Sequence, residues 1–333
     1  MYEGDRRGIL LDTMRTKEKR TLKLPFTALK IIVSVTLLLY LLVFQIDLAQ
    51  FWAVVRKARW GYLAAAAVVM IVGTVLRAFR WRVLLRALEI EVPLWRLIYL
   101  YFVGAFFNIF LPSGLGGDAV KMAELAQYTR HGPEAIGTTL VDRATGLWVL
   151  FVLALVVLPF STSLLPAAWL PVVVGATVTG VAGGWVVLAS PLIPWLGGRV
   201  KLPWQAKLER FYHSISQLGY RALGGACFYS LLFDILLIIF NVLIAGAFDV
   251  RLPLQIFLLF TPLISFSLAL PISIGGLGVR EQTYILLFGA VGVAKATATA
   301  LSLSNYILTN LVIGLLGGLL YAIFNAKELT TRA

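Results

Sequence analysis

Apolar runs dominate this chain and leave little room for a soluble fold. Eight segments can be marked, at 26–46, 60–78, 94–111, 133–158, 166–190, 219–247, 253–270 and 294–324. Each approaches or exceeds the length of helix needed to cross a hydrocarbon core of ~30 Å. Charged residues make up 14% of the 333 positions and hydrophobic ones 60%, whereas soluble domains carry about 25% charge. The fold class expected is therefore all-α, a polytopic membrane bundle.

The remaining composition narrows the function classes. The formal net charge is +13, but the basic residues fall in clusters between apolar runs, as topology signals do, rather than on one face as nucleic-acid binding requires. No nucleic-acid partner is expected. Cys227 is the single cysteine and lies inside an apolar run, which excludes a disulfide framework. His131 and His213 stand apart in polar connections, so no metal site is expected, and no cofactor. Residues 1–25 form a long basic leader into the 26–46 run, which is too long for a signal-peptide core and reads as a retained first span. This places the N-terminus in the cytoplasm.

One phrase occurs twice. LPSGLGGDAVK at 111–121 and LPISIGGLGVR at 270–280 share L-P-x-x-x-G-G-x-x-V and a final basic residue. Leu111 aligns with Leu270, Pro112 with Pro271, Gly116 and Gly117 with Gly275 and Gly276, and Lys121 with Arg280. Pro and Gly break helices, and broken backbone at membrane depth is tolerated only inside protein or beside a wet cavity. Paired broken helices mark the binding sites of many transporters, and the N-termini that follow suit anions.

Charge asymmetry suggests how the phrase is used. Residues 77–96 and 121–143 are both basic, and eight full spans would put them on opposite sides. They share a side if 94–129 is a re-entrant hairpin broken at LPSGLGG, and if 253–290 repeats it from the other face. The chain then divides into a leader at 1–25, a first membrane repeat at 26–158, a second at 159–325, and a tail at 326–333. Each repeat has three spans and one hairpin, so the second is inverted and both termini are cytoplasmic. The segment 191–218, basic and aromatic, reads as an amphipathic cytoplasmic connection within the second repeat. This arrangement leaves RKAR at 56–59 outside, against the charge rule. Eight full spans remain the alternative.

Several charges sit where a membrane helix seldom carries them, at a cost of ~2.5–3.5 kcal/mol each near the bilayer centre. Asp142 and Arg143 are adjacent and so point about 100° apart, which forces each to find another partner. Asp234 is isolated between apolar turns. Two readings stand side by side. In one, these three form a buried ion-pair network bracing the helices; in the other, they line a cavity with an anion-binding Arg and a proton-coupling Asp. Asp118 follows the first break as a candidate helix cap, and its counterpart is Leu277, so the break itself does not require the charge. Lys121 follows the first break and Glu281 follows Arg280 after the second, while Asn108 precedes the first. Arg77, Arg80, Arg82 and Arg86 read as topogenic arginines snorkelling to headgroups.

Four stretches together resemble a known family: RAFRWRVLL at 77–85, FNIFLPSGLGGDAVK at 107–121, TTLVDRATGL at 138–147 and LPISIGGLGVREQ at 270–282. They are similar to the membrane region of lysylphosphatidylglycerol synthase/flippase and its stand-alone flippase-like relatives, over roughly residues 26–325. The resemblance implies a membrane protein that moves or handles a lipid with a charged headgroup. It draws attention to Arg80, Trp81, Asn108, Pro112, Gly116, Gly117, Asp118, Asp142, Arg143, Gly275, Gly276, Gly278 and Glu281. Two positions depart from the family's usual residues. Lys121 stands where Arg is common and Asp142 where Glu is common, and Lys offers a point charge rather than a bidentate fork.

The expectation is a lipid translocase, not an enzyme. Its partner would be a membrane lipid with an anionic phosphate headgroup, a phospholipid or polyprenyl phosphate, with proton or ion coupling left open and the oligomeric state undetermined. An enzyme or accessory subunit of lipid-linked glycan assembly or lipid modification is one alternative, and an ion-coupled polar-solute transporter is another.

Overall fold

A computed structural model describes residues 48–110, 116–189, 218–270, 273 and 276–331. These residues are helical, with no strand among them. In chain order the helices are α1 (Leu48–Arg56), α2 (Trp60–Ala87), α3 (Leu94–Phe110), α4 (Gly116–Thr129), α5 (Gly132–Val157) and α6 (Leu170–Ala189). There follow α7 (Gly219–Ala247), α8 (Leu254–Ala269), α9 (Val279–Ala290), α10 (Lys295–Tyr306) and α11 (Ile313–Thr331), the last two joined by a π-helical stretch at Ile307–Val312. Among the described residues five stretches are long and apolar enough to cross a membrane: Trp60–Ala87, Gly132–Phe160, Leu170–Leu188, Gly219–Ala247 and Lys295–Phe324. The protein is a multi-pass, all-α membrane protein. The expected first span at 26–46 and the amphipathic connection at 191–217 lie outside the described residues.

The spine of the bundle is α2 against α7. Arg59 N–H donates to Ala247 O at 2.9 Å at one end of the pair, Phe233 meets Gly73 midway, and Val83 meets Gly225 toward the other end. The helices therefore run antiparallel along nearly their whole length. Each ends in the same tight turn. Ile90 N–H reaches back to Leu85 O and Val250 N–H to Ala245 O, both at 3.0 Å, with Glu89 and Asp249 at positive φ. Returning the chain to carbonyls of the last turn satisfies groups that a helix end leaves open.

A short apolar helix follows each turn, and a second helix then folds back on it. Arg96 stacks over Tyr128 and Lys121 over Tyr101, so α3 and α4 are antiparallel. Phe257 and Phe260 pack on Phe288 near one end of the second pair. Thr283 bonds Ser267 near its other end, so α8 and α9 are antiparallel too. At ~1.5 Å per residue the 17 residues of α3 and 16 of α8 reach about 24–26 Å, short of the five long helices. The α3–α4 pair opens from the Ala87 end of the spine, and the α8–α9 pair from the Trp60 end.

Small residues let these helices approach. A Cβ on Gly117 would overlap the carbonyl of Gly104 in the facing helix, and one on Gly317 would overlap the carbonyl of Phe102, where α11 packs along α3. Without a hydrophobic drive between helices in lipid, such close backbone contact supplies the packing. Large apolar side chains such as Val68, Leu315 and Leu319 point outward, while Phe102, Leu150, Ile244, Phe260 and Leu301 fill one shared core.

Two outcomes follow from this packing. In a Cys227→Ala background, cysteines placed at Glu91 and His131 label from one side of the membrane, and those at Arg251 and Ala294 from the other; labelling of 91 and 131 from opposite sides would contradict the hairpin. Gly317→Ala should lower the stability of the solubilised protein by about 1–3 kcal/mol, the usual cost of overpacking. Gly175→Ala, where a Cβ meets nothing within 4 Å, should leave the melting temperature unchanged or slightly raised.

Candidate functional site

The buried charges gather where α2, α3, α4, α5 and α7 meet. Arg80 is 2% exposed and Asp142 1%, so the snorkelling expected of Arg80 is replaced by an internal pair. Its Nε donates to Asp142 Oδ1 at 2.6 Å and its Nη1 to Ser230 Oγ at 2.9 Å. Tyr101 OH donates to Asp142 Oδ2 at 2.5 Å. Both carboxylate oxygens are thereby engaged, and one arginine ties three helices. Gly146 keeps room for this: a Cβ there would lie 2.6 Å from Arg80 Nη1.

A second cluster forms on α4 and α5. Asp118 Oδ1 pairs with Lys121 Nζ at 2.7 Å, and its Oδ2 pairs with Arg143 Nε. Asp118 is the third residue of α4, and it does not cap the helix; its carboxylate neutralises two cations instead. Lys121 Nζ also lies 3.9 Å from the Tyr101 ring centroid and 5.4 Å from that of Trp81, an attraction between cation and aromatic face. Trp81 Nε1 is held by Thr138 Oγ1 at 3.1 Å. Asp142 and Arg143 thus found separate partners, as their 100° separation demands. Of the three residues weighed from sequence as one network, Asp142 turns to Arg80 and Arg143 to Asp118.

Beside these clusters lies a cavity of about 550 Å³. Four arginines line it: Arg77, Arg80, Arg143 and Arg280. Among the described residues Asp234 is the one carboxylate lining it, and Asn108 lines it at the end of α3. Arg77 pairs with no carboxylate among the described residues; its guanidinium packs 4.8 Å from the Tyr101 ring centroid and 5.5 Å from that of Phe233. Asp234 is 1% exposed and its Oδ2 has no hydrogen-bond partner among the described residues.

Both broken helices reach this space. Leu268 and Ala269 close α8 at the cavity wall, and Gly276 lines it from the second break. Gly276 and Gly278 have φ of +78° and +80°, a backbone region that only glycine adopts without strain. Glu281 Oε2 then accepts the Gly278 N–H at 2.6 Å and caps α9, a helix-start role that suits a carboxylate. Arg280 stacks over Tyr306, 4.4 Å from its centroid. At the first break Gly117 N–H donates to Asn108 Oδ1 at 2.6 Å, so that amide is spent inside the protein and not offered to an anion. Gly116, Gly117, Asp118, Lys121, Asp142 and Glu281 are not among the cavity-lining residues; those with recorded partners brace its wall. Gly275 and Pro112 lie outside the described residues.

Sequence reading missed three features. Arg77 was grouped with topogenic arginines because its partners, Tyr101 and Phe233, come from other helices. Asn305 from the end of α10, with Thr309 and Asn310 from the π-helical stretch, line the cavity, where polar residues within the last apolar run were the only signal. Ser230, which holds Arg80, is a lone small hydroxyl in an apolar helix.

The Arg80–Asp142 pair gives a stability test. Removing one member leaves a buried charge unpaired, which costs about 3–5 kcal/mol, whereas replacing both with apolar residues of similar volume costs far less. Arg80→Gln or Asp142→Asn alone should therefore sharply lower the melting temperature in detergent, and Arg80→Met with Asp142→Leu should recover part of the loss. Additive losses in the double variant would show that the two residues act independently.

The chain has no match among curated proteins and none among solved structures. A family model described as lysylphosphatidylglycerol synthase TM region matches residues 27–317, most of the chain. On that match, with buried polar clusters set among membrane-crossing helices, the protein belongs to the lysylphosphatidylglycerol synthase transmembrane-region family, membrane proteins concerned with lipid handling.

Proposed function

We propose that this chain is a translocase that carries a lipid with a phosphate-bearing headgroup across the cytoplasmic membrane, with both termini in the cytoplasm. The observation that carries the reading is the cavity, in which four guanidinium groups face one carboxylate inside an apolar bundle. Guanidinium forks match phosphate oxygens in geometry and charge. Counting the wall as well, Arg77, Arg80, Lys121, Arg143 and Arg280 oppose Asp118, Asp142, Asp234 and Glu281. The headgroup would be a phospholipid's or a polyprenyl phosphate's, and no covalent chemistry is assigned to the site.

The antiparallel spine and the two hairpins opening from opposite ends support an inverted repeat. Rocking of one half against the other would expose the cavity to each side in turn. Transport would be passive or coupled to an ion gradient, with Asp234 as the candidate coupling group.

Arg77 and Arg143 give the cleanest test. Arg77 pairs with no carboxylate among the described residues, and loss of Arg143 leaves Asp118 still paired with Lys121. Arg77→Gln and Arg143→Gln should each lower transfer of a fluorescent-acyl phosphatidylglycerol in reconstituted vesicles by roughly tenfold or more, the scale of one lost charge-assisted hydrogen bond. Melting temperature should stay near wild type. Wild-type transfer by both folded variants would overturn the reading, as would uptake of a soluble solute with no lipid transfer.

A further inference from the structure

RKAR at 56–59 stands on the face where the proposed topology expects few cations. The structure shows what surrounds it. α1 closes in a turn at this point, with Lys57 N–H donating to Val54 O at 3.2 Å and Ala58 N–H to Val55 O at 3.1 Å. Phe51 packs on the core, Ala58 is buried, and Val54 and Val55 between them are half-buried. That three-and-four spacing gives α1 an inner face, which packs against α10. Trp52, Ala53, Arg56 and Lys57 are exposed on the opposite face, with the Trp52 ring edge-on to Phe51 at 5.8 Å between centroids.

The end of α7 adds another cation to the same place. Arg59 N–H donates to Ala247 O, so the turn after α7 brings Asp249 and Arg251 beside the start of α2. Asp249 Oδ1 lies 3.7 Å from Arg59 Nη2 and 3.5 Å from Arg251 Nη2, and all three side chains are exposed. One carboxylate is shared by two arginines, while Arg56 and Lys57 pair with no carboxylate among the described residues. Exposed pairs of this kind hold their charges weakly, which leaves the guanidiniums open to a stronger anionic surface.

Depth in the membrane decides what that surface is. The membrane-crossing stretch of α2 begins at Trp60, so residues 56–59 stand where its apolar length gives way to headgroups. Trp60 is 71% exposed and Trp52 56%, and indoles, apolar with one polar N–H, suit that level. An acidic soluble protein would match the cations but not two exposed indoles at the apolar boundary. We infer that this end of the protein docks on anionic lipid headgroups, with Arg56, Lys57, Arg59 and Arg251 drawing phosphates and Trp52 and Trp60 seated in the interface. Each cation at an anionic surface adds to the attraction. The lipid shell gathered here lies outside the arginine-lined cavity and does not depend on lipid transfer.

The test reads which lipid sits beside α1. In the full-length Cys227→Ala protein, Ala53→Cys carries a bimane label on the exposed face, and a separate Leu319→Cys variant carries it on an exposed position of α11 as reference. Each is reconstituted in phosphatidylcholine bilayers containing either brominated phosphatidylglycerol or brominated phosphatidylcholine. The anionic lipid should quench the label at 53 with an apparent affinity at least about threefold above phosphatidylcholine, and the label at 319 should not distinguish them. Arg56→Gln with Lys57→Gln should bring the ratio at 53 below about 1.5, with melting temperature and lipid transfer unchanged. Salt at ~1 M, where the Debye length falls to about 3 Å, should do the same. Equal quenching at 53 by both lipids, or a preference that survives loss of both cations, would overturn the inference. So would a label at 53 that neither lipid quenches, the result expected if a soluble protein covered this face. Anionic preference at 53 and lipid transfer are measured separately, so either can fail alone.

Discussion

Burying charge in an apolar bundle is costly, and the site is organised around avoiding that cost. Arg80 can lie at 2% exposure only because Asp142 and Ser230 receive its donors, and Asp142 only because Arg80 and Tyr101 occupy its two oxygens. That single pair joins α2, α5 and α7 and brings Tyr101 of α3 to the same point. Tyr101 in turn supports two further cations through its ring, Lys121 at 3.9 Å and Arg77 at 4.8 Å. Removing the pair would leave the cationic wall without its frame.

Close backbone packing makes the same point from the other direction. Gly104 and Gly117 bring α3 and α4 together so tightly that the first amide of the break is bonded to Asn108. The Gly117 amide that follows the first break is thus bonded within the protein. The second differs: Gly276 and Gly278 adopt positive φ, Glu281 caps the helix, and Gly276 itself reaches the cavity. One phrase has been used for a tight hairpin in the first half and a cavity wall in the second.

The halves share backbone more than chemistry. Their long helices run antiparallel and end in matching turns, and each is followed by a short hairpin. The polar residues are unevenly divided between them. Asp118 pairs with two cations where its counterpart Leu277 can pair with none, and Asp142 and Arg143 correspond to Leu301 and Ser302. Arginines come mainly from the first half, while Asp234, Asn305 and Asn310 come from the second.

Much of this was legible in the residues. Long apolar runs dictate membrane-crossing helices because backbone in lipid must bond within its own segment, and Leu-Pro with Gly-Gly dictates where helices stop. The separate helices on either side of each phrase, 94–110 and 116–129, then 254–269 and 279–290, follow from that break. Adjacent Asp142 and Arg143 had to find separate partners, since neighbouring positions on a helix point apart. Which partners they found was decided only in three dimensions, because the choice depends on which helix faces which. Arg80 looked topogenic until α5 brought Asp142 against it, and Asp118 looked like a cap until Lys121 and Arg143 closed on it. Arg77, Asp234 and Asn310 share a cavity although 233 positions separate the first from the last. Sequence spacing carries no information about contacts between distant helices; packing alone gathers such residues, and here it is the close approach at Gly104, Gly117 and Gly317 that sets the distances.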